Sequence, residues 1–298
     1  MAILAKRNQN LMNVIKKVHG LVEYPDIEKQ RQSQDNLGVL LGKQREVGIT
    51  AVDIDGMYGE WISVERAHMK KYVILYCHGG GYTTGSSLYA RTLTTKLAAS
   101  TCMDVLCFDY HLAPEYPYPA ALQDAVKAWD YLMLLGYGAR DIIVAGDSAG
   151  GNLALCLVHQ LKAEERLLPR GIVLMSPWTD LTGQGKSHVT KADLDPVLDE
   201  DYITKVAHCY AKEEDWLNPL VSPLFGDFTG FPRTNIQVGD NEILLNDSIS
   251  LHKNMMKANV PVELEIFKGM WHVFQMSPLK TAYEAMDKNA EFIYDICR

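Results

Sequence analysis

Strand-length apolar runs alternate with helix-length segments through most of this chain, and this alternation constrains the fold more than any other feature. The runs lie at Ile49–Ile54, Glu60–Val64, Val73–Cys77, Asp104–Phe108, Ile142–Ala145, Gly171–Met175, Asn235–Val238 and Glu263–Phe267. The helix-length segments lie at Tyr89–Ala99, Ala120–Leu135, Gly150–Glu165, Leu245–Ala258 and Thr281–Ile296. Such alternation predicts an α/β fold with a mostly parallel, eight-stranded sheet that is flanked by helices.

Two segments break the alternation and divide the chain. Residues 182–231 contain no strand-like run and are rich in Asp, Lys, His, Tyr and Pro, and they are too many for a plain connection in a compact core. We predict an inserted cap there, helical near Asp199–Ala211; a long surface loop is the alternative. The polar residues 1–45 are predicted to form N-terminal cap helices, which leaves 46–181 and 232–298 as the core.

Charge and hydropathy exclude several classes of function. Because 37 Asp+Glu outnumber 29 Lys+Arg, the formal net charge is −8, which argues against nucleic acid or an anionic membrane as the partner. No apolar run approaches the roughly 18 residues of a membrane-spanning helix. The first residues, MAILAKRNQN, lack the apolar stretch of a signal peptide. The six cysteines form no CxxC pair, which indicates free thiols in a reducing compartment, and we expect a cytoplasmic protein.

The segment Gly146-Asp147-Ser148-Ala149-Gly150 is a GxSxG motif between a strand-like run and a helical segment. A strand, a sharp turn and a helix are the setting of a nucleophile elbow, whose strained turn lifts the serine hydroxyl above the sheet. Glycine at 146 and 150 allows the neighbouring chains to approach closely. The motif therefore predicts Ser148 as a nucleophile. A serine that only caps the helix is the alternative.

The segment His78-Gly79-Gly80-Gly81 directly follows the third apolar run. Consecutive glycines cost backbone entropy and are expected where something must approach the main chain. We predict an oxyanion hole whose donors are the N–H groups of Gly80, Gly81 and Ala149. Gly79 would shape the turn, and His78 would anchor the loop. A flexible glycine turn is the alternative.

A serine nucleophile needs a base, and the base needs a carboxylate that orients it. Among the nine histidines, His272 lies in the loop between the last strand and the last helix, at the edge of the sheet where the elbow opens. The carboxylate should fall between Ser148 and His272, in the loop after the seventh run. That loop offers Asp240, Glu242 and Asp247. Asp247 falls on the following helix, and spacing alone does not separate Asp240 from Glu242.

Several motifs in this order resemble the hormone-sensitive-lipase-like carboxylesterases, the branch of the α/β-hydrolases with GDSAG at the elbow. The resemblance covers most of the chain from about Ala51 and rests on HGGG, Asp109–Glu115 with Tyr116–Ala121, GDSAGG with Asn152, Ser176–Leu181 and Ile236–Phe274. It implies an α/β-hydrolase fold with a helical cap. It also implies Ser148 as the nucleophile, His272 as the base, and the HGGG glycines with Ala149 as the oxyanion hole.

The resemblance favours one carboxylate. The acid of the family stands two residues before a leucine, a position that Glu242 holds in Glu242-Ile243-Leu244. Glu242 is therefore the predicted acid, and Asp240 is its main rival. Two departures from the family pattern bear on the site. His111 replaces the usual arginine and would change how its loop is held, and Trp271, where proline or a smaller residue is usual, would narrow the pocket.

The resemblance implies a serine carboxylesterase that hydrolyses short-chain acyl esters through an acyl-serine intermediate. Its activity should rise as the pH passes roughly 6.5–7, the range of an ordinary histidine. We expect a small-molecule ester as the partner and no metal or organic cofactor. Trp178 and Tyr82 are predicted pocket residues, although Trp178 is equally expected as an ordinary core residue.

Three other functions remain open on the sequence alone. The first is an amidase or deacetylase with the same triad. The second is a non-catalytic small-molecule receptor on the same fold, although such receptors typically lack the histidine. The third is a peptidase, which usually brings an additional domain. A homodimer would follow if the last strand, Glu263–Phe267, forms a free edge of the sheet.

Overall fold

The structure is a computed structural model that describes residues 26–42, 44, 46–68 and 70–298. The part of the predicted N-terminal cap before residue 26 lies outside the described residues. Its described part is a single helix, α1 (Ile27–Leu41), in which the Asp26 carboxylate accepts a hydrogen bond from the Glu28 N–H and so caps the first turn.

Eight strands form one sheet in the spatial order β1-β2-β4-β3-β5-β6-β7-β8. The strands are β1 (Val47–Ile54), β2 (Met57–Val64), β3 (Val73–Cys77), β4 (Asp104–Phe108), β5 (Ile142–Asp147), β6 (Gly171–Met175), β7 (Arg233–Gly239) and β8 (Val262–Phe267). The pairs β1–β2 and β2–β4 are antiparallel, and the remaining five pairs are parallel. The predicted mostly parallel, eight-stranded sheet is confirmed.

Helices cover both faces of this sheet. They are α2 (Ser87–Thr101), α3 (Ala120–Leu134), α4 (Ala149–Ala163), α5 (Lys186–Thr190), α6 (Glu200–Tyr210), α7 (Leu245–Lys257) and α8 (Lys280–Cys297). Side chains of β3 alternate between the two faces: Ile74 belongs to the buried cluster that includes residues of α2 and α8, and Leu75 to the cluster that includes residues of α3, α4 and α7. Because both faces are covered, β3 and β6 are buried along their whole length and do not alternate in polarity.

The segment 182–231 contains α5, α6 and two short 3₁₀ turns, Glu213–Asp215 and Pro223–Phe225, and no strand. Helix α6 lies over the glycine loop that follows β3. A Cβ built on Gly81 would lie 3.2 Å from the Tyr202 hydroxyl and 3.2 Å from a Val206 methyl group. We call 182–231 the cap insertion; that it and α1 form a cap separate from the core stays a prediction.

Parallel strands bring four loops of interest to one edge of the sheet, since each loop follows the carboxyl end of its strand. The glycine loop follows β3, the elbow follows β5, the carboxylate loop follows β7 and the His272 loop follows β8. In the described part of the chain, no helix is both long and apolar enough to cross a membrane.

Candidate active site

Ser148 occupies a sharp turn between β5 and α4, with φ 52° and ψ −122°. Non-glycine residues with positive φ are strained and persist where the surroundings hold them in place. Here the Ser148 N–H donates to the Met175 carbonyl at 3.0 Å, and the Ser148 carbonyl accepts from the Trp178 N–H at 3.0 Å. The turn therefore fixes the serine backbone rigidly against the end of β6.

Glycine at 150 is required by contact with the backbone of the neighbouring strand end. A Cβ at this position would lie 2.0 Å from the Cys77 carbonyl oxygen and 2.4 Å from the His78 carbonyl oxygen. We expect Gly150→Ala to lower the free energy of unfolding by more than about 3 kcal/mol, because backbone atoms cannot move aside as a flexible side chain can. Urea denaturation measures this loss.

Gly48→Ala is the matched control for Gly150→Ala. A Cβ on Gly48, in β1, would meet its nearest atom at an ordinary 3.7 Å. We expect this variant to unfold within about 1 kcal/mol of the wild type. Equal denaturation midpoints for the two variants would contradict the steric explanation of the elbow glycine.

His272 and Glu242 complete a chain of hydrogen bonds that begins at the serine. The His272 Nε2 lies 2.9 Å from the Ser148 Oγ, and its Nδ1 lies 3.0 Å from the Glu242 Oε2. All three side chains are buried, with 8%, 6% and 0% of Ser148, His272 and Glu242 exposed. The structure thus brings together the three residues that the sequence predicted as nucleophile, base and acid.

The other Glu242 oxygen is held as firmly as the one that faces His272. Its Oε1 accepts hydrogen bonds from the Gly239 N–H at 2.5 Å and from the Ser176 hydroxyl at 2.9 Å. The same Ser176 oxygen accepts the Val273 N–H at 3.1 Å, next to His272. Ser176 therefore joins the acid loop to the histidine loop. Sequence reasoning missed it, although it stands directly after β6.

The rival carboxylates lie in other hydrogen-bond networks. The Asp240 Oδ1 accepts the Gly269 N–H at 2.6 Å and so closes the turn after β8. The Asp247 Oδ2 accepts the backbone N–H groups of Thr179 at 2.7 Å and Asp180 at 3.0 Å. Among the three carboxylates of this loop, Glu242 is the one in contact with the His272 ring.

The environment of His272 sets its protonation. Burial by itself lowers the pKa of the imidazole, but the hydrogen bond and the charge of Glu242, with smaller contributions from Asp195 and Asp147, raise the pKa above its ordinary value of 6.5. The charged form is therefore favoured inside the site. An imidazole in this setting accepts a proton readily from the hydroxyl that it contacts.

Asp147, the variable residue of the GxSxG motif, holds the glycine loop. Its Oδ1 accepts the Gly79 N–H at 3.0 Å and the Tyr76 hydroxyl at 2.7 Å, and its Oδ2 accepts the Tyr89 hydroxyl at 3.2 Å. The carboxylate is completely buried, and burial raises its pKa. The side chain thus ties the elbow to the loop after β3. Sequence reasoning assigned no role to it.

Gly80 and Gly81 adopt backbone conformations that other residues rarely adopt, with φ values of 117° and 62°. Within the ranges that the structure describes, the N–H groups of Gly80, Gly81 and Ala149 donate no hydrogen bond to the protein, whereas the Gly79 N–H donates to Asp147. Free backbone N–H groups are what an oxyanion hole requires, and this role of the three residues stays a prediction.

His78 lies beneath this loop. Its ring stacks on Tyr110 with the ring centroids 4.0 Å apart, and its Nδ1 lies 2.8 Å from the Gly79 carbonyl oxygen. Burial lowers the pKa of this imidazole to about 4, so the ring is neutral near pH 7. Its packing agrees with the predicted anchoring role.

The two predicted pocket residues are completely or almost completely buried. The Tyr82 ring stacks on Tyr210 with centroids 3.6 Å apart and its hydroxyl donates to Asn152, while Trp178 is 1% exposed in the same core cluster. A cavity of about 220 Å³ lies instead beside α6 and is lined by residues that include Leu181 and Trp216. A pocket role for Tyr82 and Trp178 stays a prediction.

His111 and Trp271, the two residues that depart from the family pattern, are both held by neighbouring side chains. The Nδ1 of His111 lies 2.7 Å from the Asp124 carboxylate, which also accepts the His111 N–H at 2.8 Å. The loop that carries His111 is held by Arg31 of α1, whose guanidinium donates to the Glu115 carboxylate at 2.7 Å and 3.0 Å. Trp271 is 3% exposed and packs among Met270, Phe274 and other apolar residues.

A mostly parallel sheet with a serine at the strand–helix elbow defines an α/β-hydrolase, and comparison with known proteins agrees. A sequence profile described as an alpha/beta hydrolase fold matches residues 74–276. An esterase from Acinetobacter venetianus is 37% identical over 87% of this chain and 86% of its own. An acetyl-hydrolase from Streptomyces hygroscopicus is 35% identical over 83% of this chain and 80% of its own.

The solved structure of a hormone-sensitive lipase from a metagenome library superposes with a TM-score of 0.93 at 33% identity, covering 98% of both chains. The chain belongs to the α/β-hydrolase fold family and, within it, to the hormone-sensitive-lipase-like carboxylesterases. It is a carboxylic ester hydrolase. The expectations for fold, enzyme class and family are confirmed.

Proposed function

We propose that this carboxylesterase forms an acyl-enzyme on Ser148, with His272 as the general base and Glu242 as the carboxylate that orients it. The observation that carries the proposal is the continuous chain of two hydrogen bonds, 2.9 Å and 3.0 Å long, from the serine hydroxyl through the imidazole to Glu242. A neutral imidazole that donates through Nδ1 has a free lone pair on Nε2 for the serine proton.

Acylation begins when the Ser148 Oγ attacks the ester carbonyl carbon and His272 takes the hydroxyl proton. The carbonyl oxygen becomes an oxyanion, which the N–H groups of Gly80, Gly81 and Ala149 stabilise. Removing one such donor typically raises the activation barrier by about 3 kcal/mol. The charge of Glu242 meanwhile stabilises the imidazolium that forms.

The tetrahedral intermediate collapses when the carbon–oxygen bond to the alcohol breaks and His272 returns its proton to the leaving oxygen. Water then takes the place of the alcohol. His272 removes a proton from this water as it attacks the acyl-serine, and the second collapse releases the carboxylic acid and restores the Ser148 hydroxyl.

Short acyl chains are the proposed substrates. The acetyl-hydrolase among the relatives supports this assignment. So does the position of α6, because the Tyr202 hydroxyl and Val206 would lie 3.2 Å from a Cβ on Gly81 and so restrict the space above the glycine loop. Side chains that restrict a pocket in this way distinguish chain lengths by steric exclusion.

Hydrolysis of p-nitrophenyl acetate, butyrate, octanoate and laurate tests the proposed substrate range. We expect kcat/KM to be highest among the shorter esters and to fall by at least about tenfold at laurate. Equal rates on laurate would contradict the short-chain assignment. Faster cleavage of p-nitroacetanilide than of the acetate ester would indicate an amidase, and well-folded protein that cleaves neither compound would contradict the proposed function.

The pH dependence of kcat/KM follows from the raised pKa of His272. The general base must be neutral, so activity is lost as the pH falls through this pKa. Because Glu242 favours the charged imidazolium, we expect the acidic limb above pH 6.5, the ordinary value for histidine. Rates of p-nitrophenyl acetate hydrolysis from about pH 5 to about pH 9 locate this acidic limb. A rate independent of pH across this range would exclude His272 as the base.

A homodimer through β8 and a cytoplasmic location complete the proposal. Among the strands that the structure describes, β8 lies at the edge of the sheet and pairs only with β7, and its Ile266 is 48% exposed, which supports pairing with a second copy. Sedimentation equilibrium distinguishes the dimer from a monomer.

The proposed cytoplasmic location has separate support. All six cysteines are free thiols, which is typical of proteins in a reducing compartment.

A further inference from the structure

The peptide that leaves Glu242 is held by side chains of the cap insertion. The Ile243 N–H donates to the Asp195 Oδ2 at 3.0 Å, and the Ile243 carbonyl oxygen accepts the Ser187 hydroxyl at 2.5 Å. Asp195 and Ser187 lie 48 and 56 residues away in the chain from this position. Both polar backbone groups of the residue after Glu242 are therefore held by side chains of the cap insertion.

Asp195 is itself rigidly bound. Its Oδ1 accepts the Val197 N–H at 2.9 Å and the Leu198 N–H at 3.1 Å, so three backbone donors surround the carboxylate. The residue is 3% exposed. Rotation of the side chain would break at least one of these bonds, which makes Asp195 a fixed link between the cap insertion and the acid loop.

Ser187 forms a second fixed link to the same loop. Its hydroxyl oxygen accepts the Asn246 N–H at 2.9 Å, and its own N–H donates to the Asn246 Oδ1 at 2.7 Å. Ser187 carries no charge, whereas Asp195 carries one. Comparison of a Ser187 variant with an Asp195 variant therefore separates the effect of position from the effect of charge.

Buried carboxylates are costly unless a cation offsets them. In the described ranges, which exclude residues 1–25, 43, 45 and 69, no lysine or arginine forms an ion pair with Asp195. Burial raises the pKa of this carboxyl to about 6, while the charge of His272 lowers it and the charge of Glu242 raises it. Protonated His272 is therefore a cation whose charge stabilises the ionised Asp195.

We propose that Asp195 is a positioning residue of the active site, a carboxylate of the cap insertion that holds the Ile243 N–H next to Glu242 and adds a second negative charge near His272. The inference rests on the proposed function, in which Glu242 and His272 act as acid and base. It makes the cap insertion part of the catalytic apparatus rather than only a cover for the substrate. Docking of the cap then completes the surroundings of the base.

The negative charges of Glu242, Asp195 and Asp147 raise the pKa of His272. The loop that carries His272 also meets two other charged side chains: Asp240 accepts the Gly269 N–H at 2.6 Å, and the Lys96 ammonium donates to the Gln275 and Ser277 carbonyls at 2.7 Å and 2.8 Å. Asp195→Asn removes one of the three negative charges, so the imidazolium becomes less stable and the pKa of His272 falls. The NH₂ group of asparagine would also face one of the three backbone N–H groups. Because two donors cannot form a hydrogen bond with each other, one of the three bonds is lost and the acid loop loosens.

Three variants test the proposal on p-nitrophenyl acetate. For Asp195→Asn we expect kcat to fall about tenfold with KM within about twofold of the wild type, and the acidic limb of kcat/KM to move down by about half a pH unit. For Ser187→Ala we expect a smaller fall in kcat and no movement of the limb. Asp201→Asn removes an exposed carboxylate from α6 and serves as the control with unchanged activity.

Nuclear magnetic resonance of ¹⁵N-histidine-labelled protein measures the pKa of His272 directly, with His272→Ala for the assignment. This readout does not require turnover, so it decides the inference even if no ester is cleaved, which would be a failure of the proposed function alone. A His272 pKa that is unchanged in Asp195→Asn overturns the proposal whatever happens to kcat. If Asp195→Asn does not fold, Asp195→Ser, which keeps an oxygen acceptor without the charge, is measured in the same way.

Discussion

Replacing Ser148 with alanine should lower kcat for p-nitrophenyl acetate by about a millionfold, the size of loss seen when a triad nucleophile is removed. The variant keeps the oxyanion donors and the base but has no atom that can form the acyl-enzyme. Residual hydrolysis then depends on water attacking the bound ester directly. That route retains the stabilisation by the N–H groups of Gly80, Gly81 and Ala149, which is why the expected activity is small rather than zero.

The same variant should fold normally. The strained turn at residue 148 is held by backbone hydrogen bonds to Met175 and Trp178, which alanine leaves in place. We expect the melting temperature to stay within about 2 °C of the wild type. Ser250→Ala on α7 is the matched control and should keep full activity. Retention of more than about 1% of wild-type kcat by Ser148→Ala would point to another nucleophile.

Because the triad members act as a unit, His272→Ala should cost about as much as Ser148→Ala, and the double variant should lose little more. Additive losses would mean that the two residues act independently. The 2.9 Å contact between the Ser148 Oγ and the His272 Nε2 is the structural reason to expect the non-additive result.

The sequence predicted the central sheet well because its strands are buried on both faces. The bounds predicted for β3, β4 and β6 are those observed, since each is a short, fully buried and mostly apolar run. The predictions were less accurate at the antiparallel edge, where β1 and β2 begin earlier, at Val47 and Met57. Those strands are partly exposed and mix polar with apolar residues, so their ends carry no clear hydrophobic signal.

The site was predictable where a local motif dictates the geometry and not where distant segments meet. The elbow and the glycine loop each fix their own backbone through neighbouring residues. In contrast, the hydrogen bonds from Asp195 and Ser187 to Ile243 join residues far apart in sequence, and no local pattern around Asp195 or Ser187 predicts these contacts. Spacing could not separate Asp240 from Glu242 for a similar reason, because it does not show in which direction each carboxylate of the loop points.

Glu242→Gln should lower kcat by about ten-thousandfold, as a change of imidazole tautomer does in comparable triads. The reason lies in the fixed donors around the carboxylate. The Gly239 N–H and the Ser176 hydroxyl both donate to Oε1, so the oxygen of glutamine takes that position and its NH₂ group faces the His272 Nδ1. Nδ1 must then accept a hydrogen bond, and the ring proton moves to Nε2.

A ring that carries its proton on Nε2 cannot accept one from Ser148, and this blocks the first step of acylation. Asp240→Asn is the matched control, since it neutralises a carboxylate two residues away in the same loop. Its oxygen can still accept the Gly269 N–H, so we expect less than about a tenfold loss of kcat. The reverse ranking of these two variants would assign the acid to Asp240. It would also require the loop after β7 to rearrange when substrate binds, because Asp240 now closes the turn at Gly269 and has no contact with the imidazole.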